Sequence, residues 1–182
     1  MARIPYPDYA FLSPALRERF ERASPLNVTH MMSHNEGVMA AVSRLGSELL
    51  VRGSLPPDLR ELVIVRIGRL CRSAYEAHQH EAIARGLGVS DAKLHALAGE
   101  DRDGFSVEER LALRFVEELH AEGAVSEAAM RACSVYFSDA QLVELCIVAG
   151  FYIMIAGFLG SFDVEIETTA RESLPGMLGR DL

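Results

Sequence analysis

Apolar residues recur every three or four positions in two stretches of the chain. They are Val38, Val42, Leu45 and Leu49 in the first stretch, and Leu111, Phe115 and Leu119 in the second. This spacing is that of one face of an α-helix. We find neither the alternation of a half-buried strand nor a hairpin turn signal. The pattern therefore predicts an all-α protein.

Capping residues and glycines divide the chain into helices. A serine with Glu or Gln three positions later occurs at Ser73, Ser106 and Ser138, and this is the pattern of a capping box. Glycines or prolines follow most of the apolar stretches and mark helix ends. We predict about seven helices in all, and the segments that carry helical signals are 13–23, 27–51, 57–72, 73–86, 90–98, 106–123, 127–136 and 138–162.

Two of these helices are too apolar for a surface position. Residues 57–72 are apolar on most sides, which predicts a central core helix. Residues 142–162 approach the length of a membrane span. Glu144 and three glycines interrupt this stretch, and no basic flank orients it. We therefore interpret it as a buried or interface helix and expect no membrane partner.

The length of 182 residues fits a single domain over 1–182. Within it we predict a proline-rich N-terminal arm over 1–23, a core over about 24–167 and a loose tail over 168–182. The N-terminus lacks the apolar segment of a signal peptide.

The net charge and the cysteine content argue against several classes of function. The net charge is −8, and no basic cluster is present that could neutralise nucleic-acid phosphates. Three widely spaced cysteines form no C-x-x-C pair, so no zinc ribbon or dithiol motif can be built locally. We expect a reduced, cytoplasmic protein with a small-molecule substrate and no nucleic-acid partner.

The densest cluster of ionisable groups surrounds His80. Glu76 and His80 are four positions apart and share one helix face. Glu61 lies on the preceding helix and can approach His80 if the two helices pack antiparallel. A carboxylate beside an imidazole fixes its tautomer, and such a pair suits general acid–base catalysis. The alternative is an exposed Glu–His pair that contributes only to helix stability.

The order of several motifs resembles the carboxymuconolactone decarboxylase / alkylhydroperoxidase-D family. The motifs are Glu61-Leu62-Val63-Ile64, Ser73-Ala74-Tyr75-Glu76, His80-Glu81-Ala82 and Gly88-Val89-Ser90. The resemblance covers about residues 24–167 and implies an alkylhydroperoxidase-D-like helical bundle. Glu61 and His80 match the family's glutamate and histidine, whereas Ser73 and Glu76 stand where the peroxidase branch has its two cysteines.

This departure implies that the dithiol route of peroxide reduction is not available. A shifted alignment would place Cys71 and His78 at the motif and Ala74 at the second cysteine, but it breaks the spacing to Glu61 and the match at Gly88. Family members that lack the cysteines and carry a Glu-x-x-x-His pair resemble the decarboxylase branch. That branch acts on a small lactone carboxylate.

The resemblance assigns catalytic roles to His80, Glu76 and Glu61. It also suggests His34, Tyr75 and Tyr152 as substrate-binding residues, with Arg66 or Arg69 as anion ligands. A metal held by Glu76, His80 and His34 is conceivable, but the spacing alone is weak support, and we predict no metal and no cofactor.

Three hypotheses follow. The first is a cofactor-free acid–base catalyst that decarboxylates or isomerises a small organic acid, lactone or carbonyl compound. The second is an alkylhydroperoxidase-type antioxidant with peroxiredoxin activity that uses Cys71 and another thiol. The third is a non-catalytic helical assembly protein. The apolar helix near residue 150 and the methionines near residue 31 favour a homo-oligomer, as a dimer, trimer or hexamer.

Overall fold

A computed structural model of the protein describes residues 1–167, so the predicted loose tail over 168–182 lies outside the described residues. Residues 1–167 contain no strand, which confirms the all-α prediction. Within that range there are nine α-helices, α1 to α9: Pro14–Arg22, Asn27–Met32, Glu36–Val51, Pro57–Leu70, Ala74–Gly86, Asp91–Ala96, Val107–Glu122, Glu127–Cys133 and Asp139–Phe162.

Helix α4 lies at the centre of the bundle, as its apolar sequence predicts. It packs against α5, α7 and α9. The run Leu62–Ile64 is fully buried, so the β-branched residues of this helix fill the core without any strand pairing.

Helix α9 is long and apolar enough to cross a membrane, by length and composition, and is the only such helix in residues 1–167. In this structure it packs against α4 and α7 and also contacts α3 and α5. Leu145, Val148 and Ala149 are fully buried on this side, whereas Val143 and Met154 are exposed on the other. It is therefore a core helix with one uncovered apolar face.

The predicted helix over 27–51 is divided into two. Helix α2 ends at Met32, a 3₁₀ turn covers Ser33–Asn35, and α3 begins at Glu36. The Ser33 hydroxyl donates to the carbonyl of His30 at 2.6 Å, and the Asn35 side chain accepts from the backbone N–H of Val38. These short polar side chains compete with helical hydrogen bonding, and the apolar period continues across the break.

The N-terminal arm is folded onto the core. Helix α1 confirms the helix predicted over 13–23, and its Leu16 and Phe20 pack with Met39 of α3. The carboxylate of Glu36 accepts hydrogen bonds from the backbone N–H and the hydroxyl of Ser13, at 2.7 and 2.6 Å. The arm is therefore a fixed part of the structure beside α2 and α3.

Helices α4 and α5 approach each other closely at Gly68. A Cβ placed on Gly68 would lie 3.2 Å from the backbone nitrogen of Ala77 and 3.2 Å from the Cβ of Glu76. Only a glycine allows this distance without a shift of the neighbouring helix. The contact brings the first turns of α5 against α4, and with them the residues of the predicted site.

Candidate active site

The three ionisable residues predicted to meet do so in the interior of the bundle. Nδ1 of His80 lies 2.7 Å from Oε2 of Glu61, and its Nε2 lies 3.4 Å from Oε2 of Glu76. The exposed fractions of Glu61, Glu76 and His80 are 0%, 4% and 1%. The exposed surface pair considered as the alternative is therefore not what the structure contains.

Glu76 enters this cluster because it does not complete the predicted capping box. The Ser73 hydroxyl accepts from the backbone N–H of Glu76 at 3.3 Å, as the sequence predicts. The reciprocal bond from the Glu76 side chain to the cap is absent among the contacts of α5. The carboxylate turns instead along the helix towards His80, which lies one turn further on the same face.

Arg60 is a member of the cluster that the sequence reasoning missed. Its Nε lies 3.2 Å from Oε1 of Glu61, and the side chain is buried. Glu61 thus holds an imidazole with one oxygen and a guanidinium with the other. A charged residue beside Glu61 on an otherwise apolar helix was the available signal, because arginine is rarely buried without a partner.

Burial and charge shift the pKa values of the cluster. Burial, opposed by His80 and supported by Glu61, raises the pKa of Glu76 to about 7. Burial acts against a charged imidazole, but the hydrogen bond to Glu61 and the two carboxylates raise the pKa of His80 above its ordinary value. Glu76 therefore exchanges its proton near neutral pH, as an acid–base catalyst requires, and His80 holds a proton more tightly than a free imidazole does.

A cavity of about 640 Å³ opens beside the cluster. Glu76, His80, Tyr75 and Tyr152 all line it, and its size lies within the range of small-molecule sites. The ring of Tyr152 packs edge-on against His80 with centroids 4.8 Å apart. The predicted substrate-binding residues Tyr75 and Tyr152 thus adjoin the predicted catalytic residues.

The hydroxyl groups of the two tyrosines differ in their hydrogen bonding. The Tyr75 hydroxyl donates to the carboxylate of Glu167, which also accepts from the Gln79 side chain and from the backbone N–H of Asn27. The Tyr152 hydroxyl has no hydrogen bond to any residue of 1–167. No buried side-chain N or O in that range lacks a partner, so this hydroxyl is open to the cavity. Burial raises its pKa, so it remains a hydrogen-bond donor.

Residues 36–118 match the family described as the carboxymuconolactone decarboxylase family. The matched stretch contains all four residues of the buried cluster, Arg60, Glu61, Glu76 and His80. This match assigns residues 36–118, a little under half of the chain, to the carboxymuconolactone decarboxylase / AhpD-like family.

Solved structures of AhpD-like proteins share the fold of this chain. A peroxidase-related protein with an alkylhydroperoxidase AhpD core, from Ralstonia eutropha, has a TM-score of 0.79 at 20% identity, over 92% of this chain and 93% of that one. A peroxidase-related protein from Silicibacter has a TM-score of 0.79 at 20% identity, over 91% of each chain.

A third similar structure is a debrominase, Bmp8, in complex with 2,3,4-tribromopyrrole. Its TM-score is 0.70 at 18% identity, over 86% of this chain and 85% of that one. At these identities the likeness shows the fold alone. No curated protein matches the chain in sequence.

Three residues suggested by the family resemblance lie away from the cavity. The Nε2–H of His34 donates to the carbonyl of Pro5, at 2.9 Å, and His34 lines a separate apolar pocket of about 230 Å³. Arg66 pairs with Glu117 at 2.7 Å. Arg69 pairs with Glu81. The structure therefore does not bring His34, Arg66 or Arg69 to the cluster, because each is held by a partner elsewhere.

All three cysteines are free thiols. Burial, with a smaller contribution from Glu76, raises the pKa of Cys71 and disfavours its thiolate. Residues 1–167 contain no group of three His, Cys, Asp or Glu side chains arranged to hold a metal ion, and the conceivable set with His34 is not assembled.

Proposed function

We propose that this protein is a cofactor-free acid–base catalyst that decarboxylates or isomerises a small organic acid or lactone. One observation carries the proposal. His80 is buried and bonded through Nδ1 to Glu61, while its Nε2 faces Glu76 at the wall of a cavity of about 640 Å³. A buried carboxyl with a pKa raised to about 7, beside an imidazole whose pKa is also raised, is typical of an active site when it lies in a cavity otherwise rich in apolar residues.

The bond to Glu61 determines which nitrogen reacts. Nδ1–H of His80 donates to the Glu61 carboxylate, which leaves Nε2 with its lone pair towards the cavity. Arg60 holds the other oxygen of Glu61, so the carboxylate keeps its orientation. Nε2 can then remove a proton from a carbon next to a carbonyl group.

The electron pair of the broken bond moves onto the carbonyl oxygen. In an isomerisation, His80 takes a proton from one carbon and the cluster returns a proton at another. In a decarboxylation, carbon dioxide leaves from the carbon next to the carbonyl group, and the resulting enolate carbon takes a proton from the carboxyl group of Glu76, whose pKa is raised to about 7. The Tyr152 hydroxyl is open to the cavity and can donate to the developing oxyanion.

The peroxidase alternative has less support from the residues of this chain. Similar structures are peroxidase-related, but Ser73 and Glu76 occupy the places of the cysteine pair. The pKa of Cys71 is raised. Its oxidation by a hydroperoxide would also need a second thiol, and neither Cys133 nor Cys146 lines the cavity.

The proposal is tested with a screen for proton transfer. Small lactone carboxylates and ketoacids are incubated with the protein in D₂O, and deuterium incorporation and carbon dioxide release are followed. We expect His80→Ala to abolish any turnover. His78→Ala is the matched control, since His78 is exposed on the same helix and we expect wild-type rates.

Three results would decide against the proposal. Equal turnover by wild type and His80→Ala would refute the role of His80. Hydroperoxide reduction that vanishes in Cys71→Ser, without any proton transfer, would favour the peroxidase. Unchanged oligomeric state with no turnover of any kind would favour the assembly protein.

We further propose that the protein is a cytoplasmic homo-oligomer. Val38 and Leu45 of α3 and Val143 and Ile147 of α9 are exposed, and a monomer rarely leaves so much apolar surface uncovered. Analytical ultracentrifugation tests this, with Val143→Glu expected to dissociate the assembly. A monomeric wild type would contradict it.

A further inference from the structure

We infer that Arg19 and Arg22 of the N-terminal arm select the substrate by binding an anionic group at the mouth of the cavity. The inference deepens the proposed function, because it concerns the same cavity. Its chemistry is binding alone, so it can be tested without turnover. Both residues lie outside the part of the chain, 36–118, that matches the family.

The arm holds these arginines in a fixed place. Leu16 and Phe20 of α1 are buried against α3, and Ser13 is bonded to Glu36. Arg19 and Arg22 are three positions apart, so they share one face of α1. Both line the cavity that also contains Glu76 and His80. The arm is thus one wall of the site.

The charges around the cavity are unbalanced. Three arginines line it, Arg19, Arg22 and Arg52, whereas Glu76 is the only acidic residue among its lining residues. Arg52 is paired with Glu48 at 2.9 Å. Arg19 and Arg22 make no ion pair with any residue of 1–167. This concentration of unpaired positive charge is unexpected in a chain with a net charge of −8.

A structural explanation of these arginines is only partial. Both lie in the last turn of α1, where cations interact favourably with the helix dipole. The interaction with the helix dipole requires only that the arginines lie at the helix end. It does not require that they lie on the side of the cavity. Two guanidinium groups beside an opening can instead hold a carboxylate through charge-assisted, bidentate hydrogen bonds.

The arrangement defines the class of substrate. Its anionic group lies at the mouth beside α1, and its reacting carbonyl part lies deeper, beside His80 and Tyr152. An acid whose carboxylate and carbonyl are separated by a small ring or a short chain satisfies both ends. The carboxylate held by the arginines is retained in the reaction, because carbon dioxide can leave only from the carbon next to the carbonyl group. A neutral lactone or ester of the same shape lacks the outer contact.

The test compares two probes that differ only in charge, γ-carboxy-γ-butyrolactone and its methyl ester. Their dissociation constants are measured by chemical-shift titration of the whole protein. Arg19→Gln/Arg22→Gln is expected to weaken carboxylate binding about tenfold or more, since hydrogen bonds to charged groups are the stronger class. Ester binding should stay within about twofold. Arg17→Gln, on the same helix but not lining the cavity, should change neither.

Three results would overturn the inference. They are a wild type that binds the acid no more tightly than the ester, a double variant with unchanged acid binding, and equal weakening of both probes, which would indicate lost packing. His80→Ala separates this inference from the proposed function. If turnover does not depend on His80 while the arginine-dependent preference persists, the proposed function fails and the anion site remains.

Discussion

Replacement of Glu76 by glutamine should change how the stability of the protein depends on pH. Glu76 is buried, and its pKa is raised from 4.5 to about 7. The folded state therefore holds a proton on this group that the unfolded state has already released over that interval. Stability falls as pH rises wherever the folded state binds more protons, so ionisation of Glu76 destabilises the native protein between about pH 4.5 and 7.

The magnitude follows from the size of the shift. At about 1.4 kcal/mol per pKa unit, the shift to about 7 corresponds to about 3 kcal/mol lost by the wild type on going from pH 4.5 to pH 8. The raised pKa of His80 acts in the same direction, because its contribution is present below about 6.5 and is lost as pH rises through the folded value. Glu76→Gln removes the first of these contributions and part of the second, because the Glu76 carboxylate also helps to raise the pKa of His80.

The assay is urea unfolding followed by circular dichroism at several pH values. We expect Glu76→Gln to gain about 3 kcal/mol relative to wild type between pH 4.5 and 8, with most of the gain below pH 7.5. Glu122→Gln, at an exposed position of α7, should show a constant difference from wild type. Parallel pH profiles of wild type and Glu76→Gln would refute the reasoning, because they would mean that Glu76 titrates as it does in the unfolded chain.

Three further substitutions test the site. Glu61→Gln should cost about 3–5 kcal/mol in urea unfolding, since it leaves Arg60 as a buried charge without its carboxylate partner; a loss below about 1 kcal/mol would contradict this. Tyr152→Phe should change the unfolding free energy by less than about 1 kcal/mol, because the Tyr152 hydroxyl has no partner in residues 1–167. The same substitution should reduce turnover about a hundredfold. Unchanged turnover would exclude the hydroxyl as a donor. Gly68→Ala should displace α5 by a few tenths of an ångström, since its Cβ would lie 3.2 Å from the Cβ of Glu76, and should lower both stability and turnover; a more stable, fully active variant would contradict the close contact.

Much of the fold was predictable because local signals agreed with the tertiary packing. The capping boxes at Ser106 and Ser138 are both formed, and the all-apolar segment after Pro57 is the central helix. The approach of Glu61 to His80 was also predictable, because the two residues lie on consecutive helices with a short connection. Their catalytic roles stay predictions.

The features that the sequence did not reveal depend on contacts distant along the chain. Glu167 accepts hydrogen bonds from Tyr75, about ninety positions earlier, and no local pattern signals such a pair. The same holds for the seating of α1 beside the cavity, which depends on Phe20 packing with Met39. At Glu76 the local pattern was misleading. The sequence fits a capping box, but the Glu76 side chain contacts a buried ionisable partner instead of the helix cap. Burial and charge, rather than local capping preferences, therefore determine where the side chains of the cluster point.

The central claim is that His80 is a buried base oriented by Glu61, and proton NMR with ¹⁵N-labelled histidine tests it most directly. The account predicts a slowly exchanging Nδ1 proton on His80, shifted downfield by its bond to Glu61, and an imidazole pKa above 6.5 that falls in Glu61→Gln. A His80 ring that exchanges rapidly with water and titrates at its ordinary value, unchanged by Glu61→Gln, would contradict the account.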